Sequence, residues 1–210
     1  MTYYDIHTHQ NVKTLNVRSI INLFPGETIP AHSYCSVGIH PNYIHTSHIQ
    51  HELALVSKTL AMSEVVALGE IGLDKNSHVS IDVQRKVFID QWEINRAYNK
   101  PIIIHCVKAF DELLSLKKHL NDTSNWIVHG FRGKPQQATQ LIFHGFFLSF
   151  GYWFNEEAVQ VAFPDSLFLE TDDRSISISN VYERIASSLG LNLDQVANAV
   201  KVNADKLFAF

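Results

Sequence analysis

The chain has 210 residues, 46% hydrophobic and 18% charged, with nine glycines and six prolines, a make-up that excludes disordered and fibrous classes. That length suffices for one domain with a substantial core. A formal net charge of -4 argues against a molecule whose whole surface traps nucleic acid, while leaving room for a local basic groove.

In chain order, short β-rich runs bounded by turn residues predict eight strands, near residues 3–7, 17–22, 33–39, 65–70, 101–105, 126–129, 146–150 and 166–171. Amphipathic stretches near 48–61, 80–98, 109–120, 135–144 and 154–162 predict helices between the later strands, and Val83, Val87, Ile94 and Tyr98 are spaced to share one face of the second. Two closing helices follow, near 180–189 and 193–207, the first stopped by Gly190. Strand-helix alternation implies parallel pairing, and eight strands is the number of a TIM-type (β/α) barrel in the α/β class. The connections 8–16 and 23–32 are too short for a crossover helix of about ten residues with its loops. The barrel is therefore expected to be abbreviated, with its first two crossover helices short or missing. Residues 1–210 read as a single domain without repeat or linker.

Cys35 and Cys106 both lie in apolar runs, the setting of free thiols in a reducing compartment, and no disulfide is expected. The opening MTYYDIHTHQ has neither a basic leader nor an apolar core, and no run approaches about 18 apolar residues. A cytoplasmic protein is expected, with no membrane association and no stable protein partner implied.

The chemistry concentrates at strand ends. His7 and His9 close the first predicted strand, where residues two apart point to the same face and can reach one metal together. Alone, a His-x-His pair is as readily two hydrogen-bonded imidazoles. Glu70, His105, His129 and Asp172, however, each follow an apolar run directly, and the C-terminal strand ends of a parallel barrel converge where catalytic residues of this architecture gather. One by one, Glu70 and Asp172 also fit as capping carboxylates and the two histidines as core groups satisfied by backbone; their joint placement is what points to a metal site.

The ordered series DIHTH (5–9), GIHP (38–41), GEIGLD (69–74), PIIIHC (101–106), HGF (129–131) and LETD (169–172), with VNADKLF (202–208) at the end, resembles the TatD family of metal-dependent hydrolases in the wider amidohydrolase-like group. The resemblance implies a TIM-type barrel, two divalent metal ions and hydrolysis of phosphodiester bonds in DNA. It assigns His7 and His9 to one metal, Glu70 as the bridging carboxylate, His105 and His129 to the other metal, and Asp172 to the first metal beside the attacking water, as its proton acceptor. Mixed imidazole and carboxylate ligation suits zinc, with manganese or magnesium where more oxygen enters. His40 either touches a substrate phosphate or stabilises its strand end. Asp5 is read as orienting the histidines from behind, and Asp74 as structural.

Two departures stand out. Many family members have His-x-Arg at the fifth strand, whereas this chain reads His105-Cys106-Val107-Lys108, so Lys108 would have to meet phosphate as a point charge. The loop Lys75-Asn76-Ser77-His78 replaces an aromatic-rich segment and either faces substrate or is solvated. The aromatic stretch Phe143 to Phe154 reads as barrel core and outer helix contact, with Tyr152 or Trp153 lining the mouth. The missing arginine keeps an alternative open: hydrolysis of a small amide, lactone or ester on the same two-metal site. A third reading, a barrel that keeps its ligands for stability or partner binding, is disfavoured by six filled ligand positions.

Overall fold

The computed structural model describes residues 1–11 and 14–210; Val12 and Lys13, in the middle of the first short connection, lie outside the described residues. The eight strands are β1 (Tyr3–Thr8), β2 (Val17–Leu23), β3 (Tyr34–Val37), β4 (Val65–Asp74), β5 (Ile102–Val107), β6 (Trp126–Val128), β7 (Phe146–Phe150) and β8 (Leu167–Leu169). They follow one another in chain order through one sheet, and the pairings β1 with β2, β3 with β4, β4 with β5 and β7 with β8 are parallel. Helices α1 (Ile49–Leu60), α2 (Ile81–Asn95), α3 (Phe110–Leu120), α4 (Pro135–Phe143) and α5 (Glu156–Ala162) lie between the later strands. After β8 come α6 (Ile178–Leu189) and α7 (Leu193–Leu207). Among the described residues no helix separates β1 from β2 or β2 from β3, as the short connections lead one to expect.

Contacts divide the chain into two compact units, residues 22–126 and residues 1–21 with 127–210. In the first, β4 is buried at all ten positions, as a parallel strand covered on both faces is, and it carries Glu70 and Asp74 among its apolar residues. It extends to Asp74, four residues beyond the expected end, because Ile71 to Asp74 remain in register with Ile104 to Val107 of β5. Gly72 permits that approach: a Cβ there would stand 1.9 Å from the His105 carbonyl oxygen.

In the second unit β8 lies beside β1, joined beyond its end by a parallel bridge between Thr8 and Asp172. Tyr182 of α6 locks β1 to the outer helices. Its buried hydroxyl accepts from the Tyr4 N–H at 3.0 Å and donates to the Tyr4 carbonyl at 3.1 Å. Helix α7 starts on a reciprocal cap in which Asn192 and Gln195 each bond the other's backbone N–H, and α6 ends at Gly190 in the left-handed region. Cys35 and Cys106 are free thiols. Among the described residues no helix is long and apolar enough to cross a membrane.

Candidate metal centre

In the unit of residues 1–21 and 127–210, the strand alternation of β1 sets His7 and His9 two residues apart, with ring centroids 5.2 Å from each other. Asp172 is stitched to the same strand end. Its N–H donates to the His7 carbonyl at 3.0 Å, and its carbonyl accepts from the His9 N–H at 3.1 Å. With this backbone held at φ 55, carboxylate Oδ1 stands 3.6 Å from Nε2 of both His7 and His9. That is too long for a hydrogen bond. It fits three ligands of one ion, since atoms about 2.1 Å from a four-coordinate centre stand roughly 3.4 Å apart.

His129, just beyond β6, is buried with its ring 4.2 Å from that of His7. Glu170 lies beneath it, fully buried. Its Oε1 accepts the Gly130 N–H at 2.7 Å and faces His129 Nδ1 at 3.4 Å. Burial alone would raise the Glu170 pKa; the His129 and His7 imidazoles and the Ser149 hydroxyl outweigh it and hold the pKa below the usual carboxylate range. An anion against Nδ1 fixes the ring and leaves Nε2 for a ligand role. The Asp5 carboxylate receives the Thr171 N–H at 3.0 Å and hydroxyl at 2.7 Å, so it anchors the residue between Glu170 and Asp172. Burial pushes its pKa up to about 7 despite those bonds.

In the unit of residues 22–126, Glu70 of β4 is held by its N–H, which donates to Asn22 Oδ1 at 2.7 Å. Its Oε1 lies 3.1 Å from His40 Nε2 and 2.9 Å from His105 Nδ1. His40 Nδ1 accepts the Asn42 N–H at 3.0 Å, which leaves the ring proton on Nε2, donated to Glu70. His105 Nε2 stands 3.0 Å from Asp74 Oδ2. A neutral imidazole has one N–H, yet His105 has a carboxylate oxygen at each ring nitrogen. The single N–H serves one of these contacts, and a metal ion at the other nitrogen would serve the second. Burial would raise the Asp74 pKa, but His105, the Asn76 N–H and the Asn42 amide outweigh it and lower it.

Helix α2 positions both ends of this cluster through buried glutamines. Gln84 accepts the Asp74 N–H at 2.7 Å and donates to the Asp74 and Val79 carbonyls. Gln91 does the same for Ile39, at 2.6 Å to its N–H and 3.3 Å to its carbonyl. The buried face of α2 is thus Gln84, Val87, Phe88, Gln91, Trp92 and Asn95. Of the face read from the sequence only Val87 is fully buried; Val83 and Ile94 are half-buried and Tyr98 is exposed. Polar side chains that bond backbone displaced the apolar spacing.

Within the unit of residues 1–21 and 127–210, the predicted ligand residues His7, His9 and Asp172 come together, with His129 beside His7; within the unit of residues 22–126, Glu70 gathers with His105 and His40. Lys108 is exposed, in the left-handed region just past β5. Lys75 pairs with Glu112 at 2.5 Å, and His78 is exposed. Sequence reasoning missed Glu170, Gln84, Gln91 and Asn22. The one signal for Glu170 was its place two residues before Asp172; for the glutamines it was a seven-residue spacing around Val87 and Phe88.

Comparison with known proteins bears on the family and the fold. The family model for TatD-related DNases matches residues 6–209. An uncharacterized metal-dependent hydrolase, YabD of Bacillus subtilis, is 29% identical over 197 residues, covering 83% of this chain and 77% of that protein. The 3'-5' ssDNA/RNA exonuclease TatD of Citrobacter rodentium is 28% identical over 204 residues, covering 84% and 77%. Among solved structures, the TatD homolog YJJV of Escherichia coli K12 superposes with a TM-score of 0.82 at 20% identity, over 98% of this chain and 97% of that one. That likeness shows the fold, a TIM-type barrel. With a family match over nearly its whole length, the chain belongs to the TatD-related DNase family of metal-dependent hydrolases.

Proposed function

We propose that the chain hydrolyses phosphodiester bonds in DNA, with His7, His9, Glu70, His105, His129 and Asp172 as the ligand set for two divalent ions, zinc, manganese or magnesium. The observation that carries this reading is the Asp172 carboxylate, 3.6 Å from Nε2 of both His7 and His9. The TatD exonuclease relative, named for single-stranded DNA and RNA, supports the substrate class. Bound divalent ions supply a water of lowered pKa and neutralise charge on the substrate's oxygens. Asp172, with a carboxylate 30% exposed, takes the proton of the attacking water. Glu70 is kept in one orientation by the Nε2–H of His40, which makes His40 a positioning residue for it. Lys108 offers phosphate a point charge rather than a bidentate grip.

Val107, at the position where the family resemblance implies an arginine, offers phosphate nothing, and this favours a second reading, hydrolysis of a small amide, lactone or ester. One experiment separates them. Metal content is measured alongside turnover of single-stranded DNA, a model phosphodiester and a lactone, with zinc, manganese or magnesium added. Roughly two ions per chain with metal-dependent cleavage of DNA is expected; ion binding with turnover of the lactone alone would shift the assignment to the second reading. Glu70→Ala is expected to abolish turnover while leaving the unfolding transition cooperative. Full activity in that variant would refute the ligand set.

A further inference from the structure

Directly after β7 the chain reads Gly151-Tyr152-Trp153-Phe154. The Glu170 N–H donates to the Phe150 carbonyl at 3.1 Å, so this aromatic segment leaves the sheet beside the residue that holds His129. Arg184 of α6 lies over all three rings, its guanidinium carbon 4.8 Å from the Tyr152 centroid, 5.1 Å from Trp153 and 5.4 Å from Phe154. Tyr152 meets Trp153 edge-on at 5.1 Å. Arg184 Nε is buried with no hydrogen-bond partner among the described residues, on a guanidinium that lies against three aromatic rings. Trp153 is nonetheless 52% exposed. A large indole, backed by a cation and open to solvent at the strand end that carries the metal ligands, is more than packing requires.

We propose that Tyr152, Trp153 and Arg184 form a stacking subsite for an unpaired nucleobase of single-stranded nucleic acid. This rests on the phosphodiesterase reading and names the part of the substrate that lies off the scissile bond. Every base has a π-face, so stacking on an indole is strong and tolerant of sequence, and a guanidinium behind the ring adds cation–π attraction. Glu156 and Glu157 stand in the first turn of the next helix; their charge disfavours a bare phosphate here and favours a flat, uncharged base.

The chain has three tryptophans. Trp92 and Trp126 are 8% and 0% exposed, so quenching of tryptophan emission by a ligand reports on Trp153. The probe is a phosphorothioate-linked oligothymidylate, which resists hydrolysis, titrated into the metal-loaded protein. Saturable quenching is expected. Binding of the labelled oligonucleotide, followed by anisotropy, should weaken about fivefold to a hundredfold in Trp153→Leu, weaken less in Arg184→Met, and be largely restored in Trp153→Tyr. Equal affinity in wild type and Trp153→Leu, or no quenching in wild type, would overturn the subsite. Wild-type turnover of bis(p-nitrophenyl) phosphate, which contains no base, tests the hydrolytic reading separately. Its failure alongside Trp153-dependent quenching would sink that reading and uphold the subsite.

Discussion

Lys117 shows how strongly a single position is set by its surroundings. Its ammonium sits 4.7 Å from the centroid of the buried Trp126 ring and donates to the Ser124 carbonyl at 3.1 Å. Burial pushes its pKa down to about 8, against the opposing pull of Asp122. In the unfolded chain the ordinary value is about 10.4. Between those two values the unfolded state holds a proton that the folded state has lost, so stability rises with pH across roughly 8 to 10.4 and is lower below that window. The midpoint of urea unfolding should therefore rise from pH 8 to pH 10 in the wild type relative to Lys117→Met. Parallel pH profiles for the two proteins would show that the proton is not linked to folding.

Helix α2 carries the same logic at the level of an element. Its buried glutamines bond backbone groups that the strand ends leave unpaired, and the segments they hold, Ile39 and Asp74, adjoin His40 and face His105. Gln91→Leu would orphan the buried N–H and carbonyl of Ile39. A destabilisation of about 2–3 kcal/mol is expected in urea unfolding, against almost none for Gln136→Leu on the exposed side of α4. If the two variants lose stability equally, the glutamine contacts are not what holds Ile39. The periodicity of α2 did not disclose this face, because the apolar rule weighs burial and ignores the backbone bonds a long amide can make.

For the whole molecule, the proposed ligand groups would couple metal binding to folding. Imidazoles and carboxylates gathered at strand ends would bind an ion only in the folded chain, so metal is expected to stabilise the native state by mass action, by about 4 kcal/mol when free metal is a thousandfold above Kd. Stripping the protein with a chelator should lower its thermal midpoint by about 10 °C, and re-adding the metal that supports turnover should restore it. An unchanged midpoint would mean that the groups hold no ion in the folded protein.

The strands were legible as β-rich runs between turn residues, and the short connections 8–16 and 23–32 announced that, among the described residues, no helix follows β1 or β2 before the next strand, since these are properties of consecutive residues. The candidate ligands were legible for the same reason: each follows an apolar run, and DIHTH and LETD place His7, His9 and Asp172 at strand ends without reference to anything distant. What the folded chain alone decided depends on approach between residues far apart in sequence. β4 runs on to Asp74 because β5 pairs with it, with Gly72 giving way to the His105 carbonyl. Glu170 becomes the partner of His129 only when β8 and the end of β6 come together within their unit. Arg184 finds Tyr152 and Trp153 across 30 residues of chain or more. Local pattern records which face of a segment avoids water; it carries no record of which distant atom a buried polar group will meet, and at this site those meetings set the orientation of the groups proposed to do the chemistry.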